Sequence, residues 1–232
     1  MTEPIPTGCA PVDDLLGGGL ERGAATQIYG PPAAGKTNLV LSAAVEAAAD
    51  GGAALYVDTE GVPIDRLEQL AGARAGPDQT VETIAERVFI SEAHSWDEQA
   101  EAVQDAGEFA ERVDLVVLDS ATGFYRLERT VQDDGEALRG VARQITHLLS
   151  LARKHDLAVA FTNQVFQDPD SDRTRALGGN TIDHWSAAIL RLDRFRGGNR
   201  RARLEKHHSR EVGGQAQFKI TGEGLAAGDQ RM

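Results

Sequence analysis

The sequence predicts an α/β fold: a mostly parallel central sheet flanked by helices, with antiparallel hairpins at its C-terminal end. Three observations carry this expectation. From Ala25 to Phe161 short apolar runs alternate with segments of helical period, the pattern of a parallel sheet covered on both faces. A glycine-bounded loop, Gly30 to Thr37, joins the first apolar run to the first helical segment. From Ala187 onward the helical period gives way to strand-like stretches separated by Gly197-Gly198-Asn199 and Gly213-Gly214, which are hairpin turn residues.

Each element has its own reason. Ala25 to Tyr29 is a buried strand ending at Gly30, and Thr37 to Ala49 is an alanine- and leucine-rich helix stopped by Asp50-Gly51-Gly52. Ala53 to Val57 is a second strand, and Pro63 to Leu70 a helix with its proline in the first turn. Val88 to Ile90 is a short strand. Trp96 to Arg112 is a charged amphipathic helix with His94 or Ser95 near its cap, followed by the apolar run Leu115 to Leu118. Gly135 to Lys154 places Leu138, Val141, Ile145, Leu148, Leu149 and Ala152 on one helical face, and Leu157 to Phe161 returns as a strand. No repeat, linker or low-complexity segment interrupts the chain, so residues 1–232 are expected to form a single domain.

Composition narrows the class. An apolar content of 41% over 232 residues suffices for a full core. No apolar run reaches the roughly 18 residues of a membrane span, and the N-terminus does not read as a secretion signal. With a single cysteine, Cys9, the expectation is a cytoplasmic protein with no membrane partner. Asp and Glu total 36 against 24 Lys and Arg, for a net charge of −12, and the only lysines are Lys36, Lys154, Lys206 and Lys219. An acidic, lysine-poor surface suits a halophilic source, because molar salt screens carboxylate repulsion.

Gly30-Pro31-Pro32-Ala33-Ala34-Gly35-Lys36-Thr37 matches G-x-x-x-x-G-K-[ST] at every fixed position. Such a loop wraps a phosphate with inward-pointing amides, and the helix behind it aims its positive end at the anion. Lys36 supplies charge to the β/γ-phosphates of ATP, and Thr37 a hydroxyl to Mg²⁺. Downstream, the apolar run Leu115 to Leu118 ends in Asp119, at the strand end where α/β sheets bind ligands. Paired with the loop, Asp119 is the expected metal-shell acid. Glu60 lies just past the second strand in Asp58-Thr59-Glu60-Gly61, as a candidate to orient the attacking water or else a solvated carboxylate. Gln164 closes Phe161-Thr162-Asn163-Gln164, as a γ-phosphate sensor or a polar cap.

The bases are concentrated. Arg194, Arg196, Arg200, Arg201, Arg203, Lys206 and Arg210 face one acid, Glu205, within a single segment. Three uses are open to it: a DNA phosphate surface, contact with an adjacent subunit's ATP through Lys206 or Arg210, or a solvated hairpin balancing the acidic remainder. Arg126 and Arg129 are further bases, beside Phe124 and Tyr125, which either stack on nucleobases or anchor the loop.

Taken together, these strand ends resemble the RecA/RadA recombinase superfamily, and within it the archaeal RadB branch. Ile5-Pro6-Thr7-Gly8 with Val12-Asp13-Asp14-Leu15-Leu16-Gly17-Gly18-Gly19-Leu20 is similar to that family's opening segment. Asp58-Thr59-Glu60-Gly61, Leu118-Asp119-Ser120 and Thr162-Asn163-Gln164-Val165 are similar to its later signatures, and Gly178-Gly179-Asn180 with His184 to the end of its second DNA-facing loop. The resemblance spans essentially the whole chain. It implies a RecA-like P-loop NTPase core with Glu60 as catalytic carboxylate and Gln164 as γ-phosphate sensor. It also matches Arg66 to an arginine that stacks on adenine.

Departures from the family pattern shape the functional expectation. The chain starts almost at the ATPase core, so a helix-hairpin-helix domain and a polymerisation motif are not expected. The stretch between Gln164 and Gly178 opens with Asp168, Asp170 and Asp172 before Arg173 and Arg175, a poor grip on a DNA strand. The resemblance therefore implies an accessory, mediator-type protein of DNA repair and recombination, with weak ATPase activity and no autonomous strand exchange. Its implied partners are single-stranded or branched DNA, a RadA-type recombinase and a junction-processing nuclease. The rival readings are a KaiC-like signalling ATPase, a hexameric helicase motor and a nucleotide-dependent scaffold without DNA affinity.

Overall fold

The computed structural model describes residues 3–131, 133–167, 174–195 and 198–228. Arg173, Arg196 and the three aspartates 168, 170 and 172 lie outside the described residues. Along the chain run α1 (Ala10–Leu16), β1 (Ala25–Tyr29), α2 (Lys36–Ala49), β2 (Ala54–Asp58), α3 (Ile64–Arg74), α4 (Val81–Ala85) and β3 (Val88–Glu92). There follow α5 (Trp96–Phe109), β4 (Leu115–Asp119), α6 (Tyr125–Val131), α7 (Asp134–His155), β5 (Ala158–Asn163), β6 (Val165–Gln167) and β7 (Thr174–Ala176). The last elements are α8 (Gly179–Asp183), β8 (Ala188–Arg194), β9 (Asn199–His207), β10 (Gln215–Thr221) and β11 (Gly224–Ala227).

Nine strands form one sheet in the order β11-β10-β9-β8-β1-β5-β4-β2-β3. The strands from β8 to β3 are parallel, and β9, β10 and β11 extend the edge antiparallel. The predicted fold class therefore holds. Period-2 alternation distributes the parallel strands between two cores. Tyr56, Val117 and Ala160 pack with α2, α3 and α4 on one face, while Val57, Val116, Leu118 and Phe161 pack with α5 and α7 on the other.

Local signals account for the helix starts. Ser95 accepts from the Glu98 amide while Glu98 Oε2 accepts from the His94 amide, a reciprocal cap for α5. Asp133 caps α7, whose buried Val141, Ile145, Leu148, Leu149 and Ala152 are the predicted stripe. The short helices α1, α4, α6 and α8 and the β6–β7 hairpin were not expected, because segments of three to seven residues carry too little periodicity. One irregularity matters later. Ile189 pairs with Lys206 but Leu190 with Leu204, so Glu205 is an extra residue bulging from β9.

Because β1, β5, β4 and β2 are neighbours and parallel, their C-terminal ends lie on one rim of the sheet. That rim carries Asp119 at the end of β4, and Gly30, Gln164 and Glu60 one or two residues beyond the ends of β1, β5 and β2.

Candidate functional site

The loop after β1 is shaped for an anion. Gly35 takes φ +101°, a conformation that favours glycine, and opens α2 without any side chain capping its first amides. Those amides and the helix end form a ready anion seat spanning Gly30, Pro31, Pro32, Ala33, Ala34, Gly35, Lys36 and Thr37. Lys36 Nζ donates to the Gly30 and Pro31 carbonyls at 3.0 and 3.3 Å, so its ammonium lies over the mouth of the loop. Burial pulls the Lys36 pKa down, and the carboxylates of Glu60 and Asp119 push back upward.

Asp119 ends β4 with 2% of its surface exposed. Oδ2 accepts from the Tyr56 hydroxyl at 2.7 Å, and Oδ1 accepts from the Thr162 hydroxyl. Burial raises its pKa, partly offset by bonds from Thr162, Tyr56 and Thr37. Thr37 and Asp119 are thus adjacent hard oxygen donors on the side of the loop nearest the sheet. A magnesium ion that keeps several waters and binds substrate phosphates needs no more protein than that. Among the described residues, no group of three or more His, Cys, Asp or Glu forms a metal cage of its own.

Glu60 and Gln164 meet beside it. Glu60 Oε1 accepts from Ser120 Oγ at 2.8 Å and from Gln164 Nε2 at 3.3 Å. The turn bearing Glu60 is built by Asp58, whose carboxylate accepts from the amides of Glu60, Gly61 and Val62 at 3.0, 2.9 and 2.5 Å. Thr59 ties the same turn to β4, receiving the Ser120 amide at 2.8 Å. On the other side, the Gln164 amide donates to Thr122 and its carbonyl accepts from Leu177, so this residue fastens the base of the β6–β7 hairpin.

Sequence reasoning assigned no role to Asp58, Ser120, Tyr56, Thr162 or Thr122. Asp58, Ser120, Thr162 and Thr122 are polar residues near strand ends and Tyr56 lies in the middle of β2, and a buried polar group needs a partner wherever it sits. That signal was available, but the identity of the partner depends on strand order.

Arg66 sits beside the first turn of α2. Its Nε donates to Asn38 Oδ1 at 2.9 Å, and its two Nη groups reach the carbonyls of Thr221 at 2.7 Å and Gly224 at 3.2 Å. These bonds lie at the guanidinium edge and fix its plane, which leaves the ring-like faces as the surface for stacking.

The predicted DNA-facing arginines fall into separate groups. Arg126 and Arg129, on α6, line a hollow of about 780 Å³ with Phe166, Leu177 and Gly178. Tyr125 is buried, a loop anchor, and the exposed apolar side chains there are Leu127, Val131 and Phe166. Arg175 and Arg203 line a second hollow, of about 870 Å³, with Arg191, Lys206 and Glu205. Arg201 is engaged by Asp193 at 3.4 Å and lies over the Phe195 ring at 4.5 Å. Arg200 belongs to neither hollow: it lies against Gly35 of the phosphate loop. The described bases of the segment are therefore divided among several places and do not form one surface. Lys206 is held by the Asp183 carbonyl at 2.7 Å, and Arg210 by the Asp14 carbonyl at 3.3 Å.

The chain is similar to known proteins over nearly its whole length. A profile of the Rad51 family matches residues 2–227. The chain is 60% identical over 226 residues to the DNA repair and recombination protein RadB of Halobacterium salinarum, covering 96% of this chain and 94% of that one. To the protein of the same description from Methanococcoides burtonii it is 40% identical over 227 residues, covering 97% and 98%. The crystal structure of the RadB recombinase superposes with a TM-score of 0.84 at 35% identity, covering 97% of this chain and 100% of that one.

Proposed function

The chain belongs to the Rad51 family, and from that membership we propose that it is an ATP- and DNA-binding accessory protein of DNA repair and homologous recombination. Family membership and fold carry the coarser part: a role in repair and recombination, and nucleotide binding with a metal. The finer part is our reading of the site. ATP binds at Gly30–Thr37, Mg²⁺ is held by Thr37, Asp119 and the phosphates, Glu60 orients the attacking water, and Gln164 senses the γ-phosphate. The metal supplies charge neutralisation when bound, while the residues of this chain bind and orient.

One observation supports an ATP-responsive binding protein most directly. Gln164 bonds Glu60 with its side chain and, with its backbone, the base of the hairpin that separates the two arginine-lined hollows. A change at the γ-phosphate has a short mechanical route to that hairpin. ATP then serves chiefly as a conformational ligand, with weak turnover and no autonomous strand exchange. The proposed partners are single-stranded or branched DNA, a RadA-type recombinase and a junction-processing nuclease.

Among the described residues no helix is long and apolar enough to cross a membrane. The location proposed is cytoplasmic, in a high-salt cell that the acidic surface suits. The test is anisotropy of labelled single-stranded DNA over a salt series, with and without ATP and Mg²⁺. Salt-sensitive binding that responds to ATP is expected. ATP binding with no DNA binding at any salt would replace this reading with a KaiC-like signalling ATPase or a scaffold.

A further inference from the structure

β9 sends neighbouring arginines to opposite faces of the sheet. Arg200 shares its face with Ala202 and Leu204, both buried in the core that α2 covers, whereas Arg201 reaches Asp193 on the other face. The Arg200 stem crosses the start of α2. A Cβ built on Gly35 would lie 3.0 Å from Arg200 Cδ and 3.1 Å from its Nε, with Ile220 Cδ1 at 3.2 Å beside them. One Nη donates to the Gly198 carbonyl at 2.7 Å. The Nε is buried, and among the described residues it has no hydrogen-bond partner.

The surroundings add charge of one sign. The cross-strand partner of Arg200 is Arg194, a second guanidinium on the same face. Among the described residues neither forms an ion pair. Burial and the nearby Arg194 both lower the Arg200 pKa. A buried N–H without a partner, two adjacent guanidiniums and the uncapped amides of α2 converge on one place. Its natural complement is an anion.

We propose that Arg200 is a nucleotide-phosphate ligand supplied by the edge hairpin of the same chain, closing the phosphate loop from the side opposite Asp119 and Glu60. The sheet order supports this placement, since β8 and β9 lie on one side of β1 while β5, β4 and β2 lie on the other. Lys36 engages the phosphates from the acidic side and Arg200 from the edge side, with Arg194 contributing field. The fork of Arg200 recognises phosphate oxygens, so it acts on the polyphosphate and not on the base or sugar. This inference rests on nucleotide binding at the loop. A DNA phosphate is the same chemistry from another source, and the test separates the two.

Equilibrium binding of ATP with Mg²⁺, and of adenosine, is measured for the full chain and for Arg200→Met, Arg200→Lys and Arg201→Met. Labelled single-stranded DNA is titrated in parallel without nucleotide. Arg200→Met keeps a stem against Ile220 and removes the charge. It is expected to weaken ATP about tenfold, with partial recovery in Arg200→Lys and no change for adenosine or for Arg201→Met. Undiminished ATP affinity in Arg200→Met overturns the proposal, as does an equal loss for adenosine or a loss confined to DNA. Should the Met variant unfold, phenylglyoxal labelling of the unaltered protein decides. ATP protecting Arg200 and not Arg203 is expected, and equal labelling with and without ATP overturns the proposal. An unaltered chain that binds no ATP removes the loop reading itself and this inference with it.

Discussion

Gln164 Nε2 lies 3.3 Å from Glu60 Oε1, although 104 positions separate the two residues. The bond joins the end of β5 to the turn after β2, across the β4 strand end that carries Asp119. An amide donating to a carboxylate orients it without neutralising it. Glu60→Gln is therefore expected to keep ATP binding within a few-fold and to lower turnover by about tenfold or more. Gln164→Ala is expected to keep ATP binding and to remove the effect of ATP on DNA affinity. Single-turnover hydrolysis and DNA anisotropy check the two.

Asp58 acts on Glu60 at one remove. Its carboxylate receives three consecutive amides of the turn, and only 5% of its surface is exposed. Asp58→Asn places an NH₂ against one of those donors and costs about 1–3 kcal/mol of stability. Turnover should fall as in Glu60→Gln, while adenosine binding is unchanged. Denaturant melts together with hydrolysis assays separate the two effects.

Lys36→Ala removes the ammonium over the loop mouth. The carbonyls of Gly30 and Pro31 that it bonds can take water instead, so thermal stability should change little. ATP affinity should drop by about 100-fold, as for loss of a charged ligand in a part-buried site. Isothermal titration calorimetry reads this directly.

Arg201 and Arg203 look into the same side of the sheet but are engaged differently. Arg203 is exposed in its hollow, while Arg201 is held by Asp193 and Phe195. Arg203→Ala should lower the logarithmic salt slope of DNA binding by about one unit, and Arg201→Ala by much less. Anisotropy at several salt concentrations checks both.

Cys9 offers a pH prediction. Its side chain is fully buried, and that burial raises the thiol from 9.0 to about 11. A raised pKa means the fold holds the proton more tightly than the unfolded chain does. The corresponding stability is complete below pH 9 and is lost as pH rises through 11, by roughly 3 kcal/mol at the limit. Urea melts of the protein and of Cys9→Ala at pH 8 and pH 10.5 should diverge in that window. The native thiol should resist alkylation at pH 8.

Much of this site could be read in sequence because its parts end strands. Gly30, Glu60, Asp119 and Gln164 each follow an apolar run, and the rim of a parallel sheet gathers such positions regardless of strand order. The bonds among them could not be read that way. Tyr56 and Thr162 reach Asp119 only because β4 lies between β2 and β5, an order that no local pattern encodes. The division of the basic segment was hidden for a related reason. Its charges are contiguous along the chain, but a strand alternates its faces, so Arg200 and Arg201 cannot share a surface. Arg210 illustrates the remaining gap, since its partner, the Asp14 carbonyl, lies 196 positions away.

The bulge at Glu205 interrupts that alternation without shifting it. Upstream of it, Arg201 and Arg203 look into one side of the sheet and Arg200 into the other. The extra residue lets Glu205 and Lys206, consecutive in the chain, both line the same hollow, with Glu205 accepting from the Tyr29 hydroxyl at 2.5 Å and Lys206 held by Asp183. Deleting Glu205 would make β9 a regular strand. Leu204 already pairs with Leu190 and Lys206 with Ile189, so the ladder would close over the gap and every arginine before it would keep its face. Arg200 would stay beside the phosphate loop, while the hollow would lose a carboxylate and the Tyr29 hydroxyl its acceptor. The bulge is thus an insertion that the ladder absorbs: it adds an acid to a basic hollow while leaving the arginines on both faces of β9 where they are.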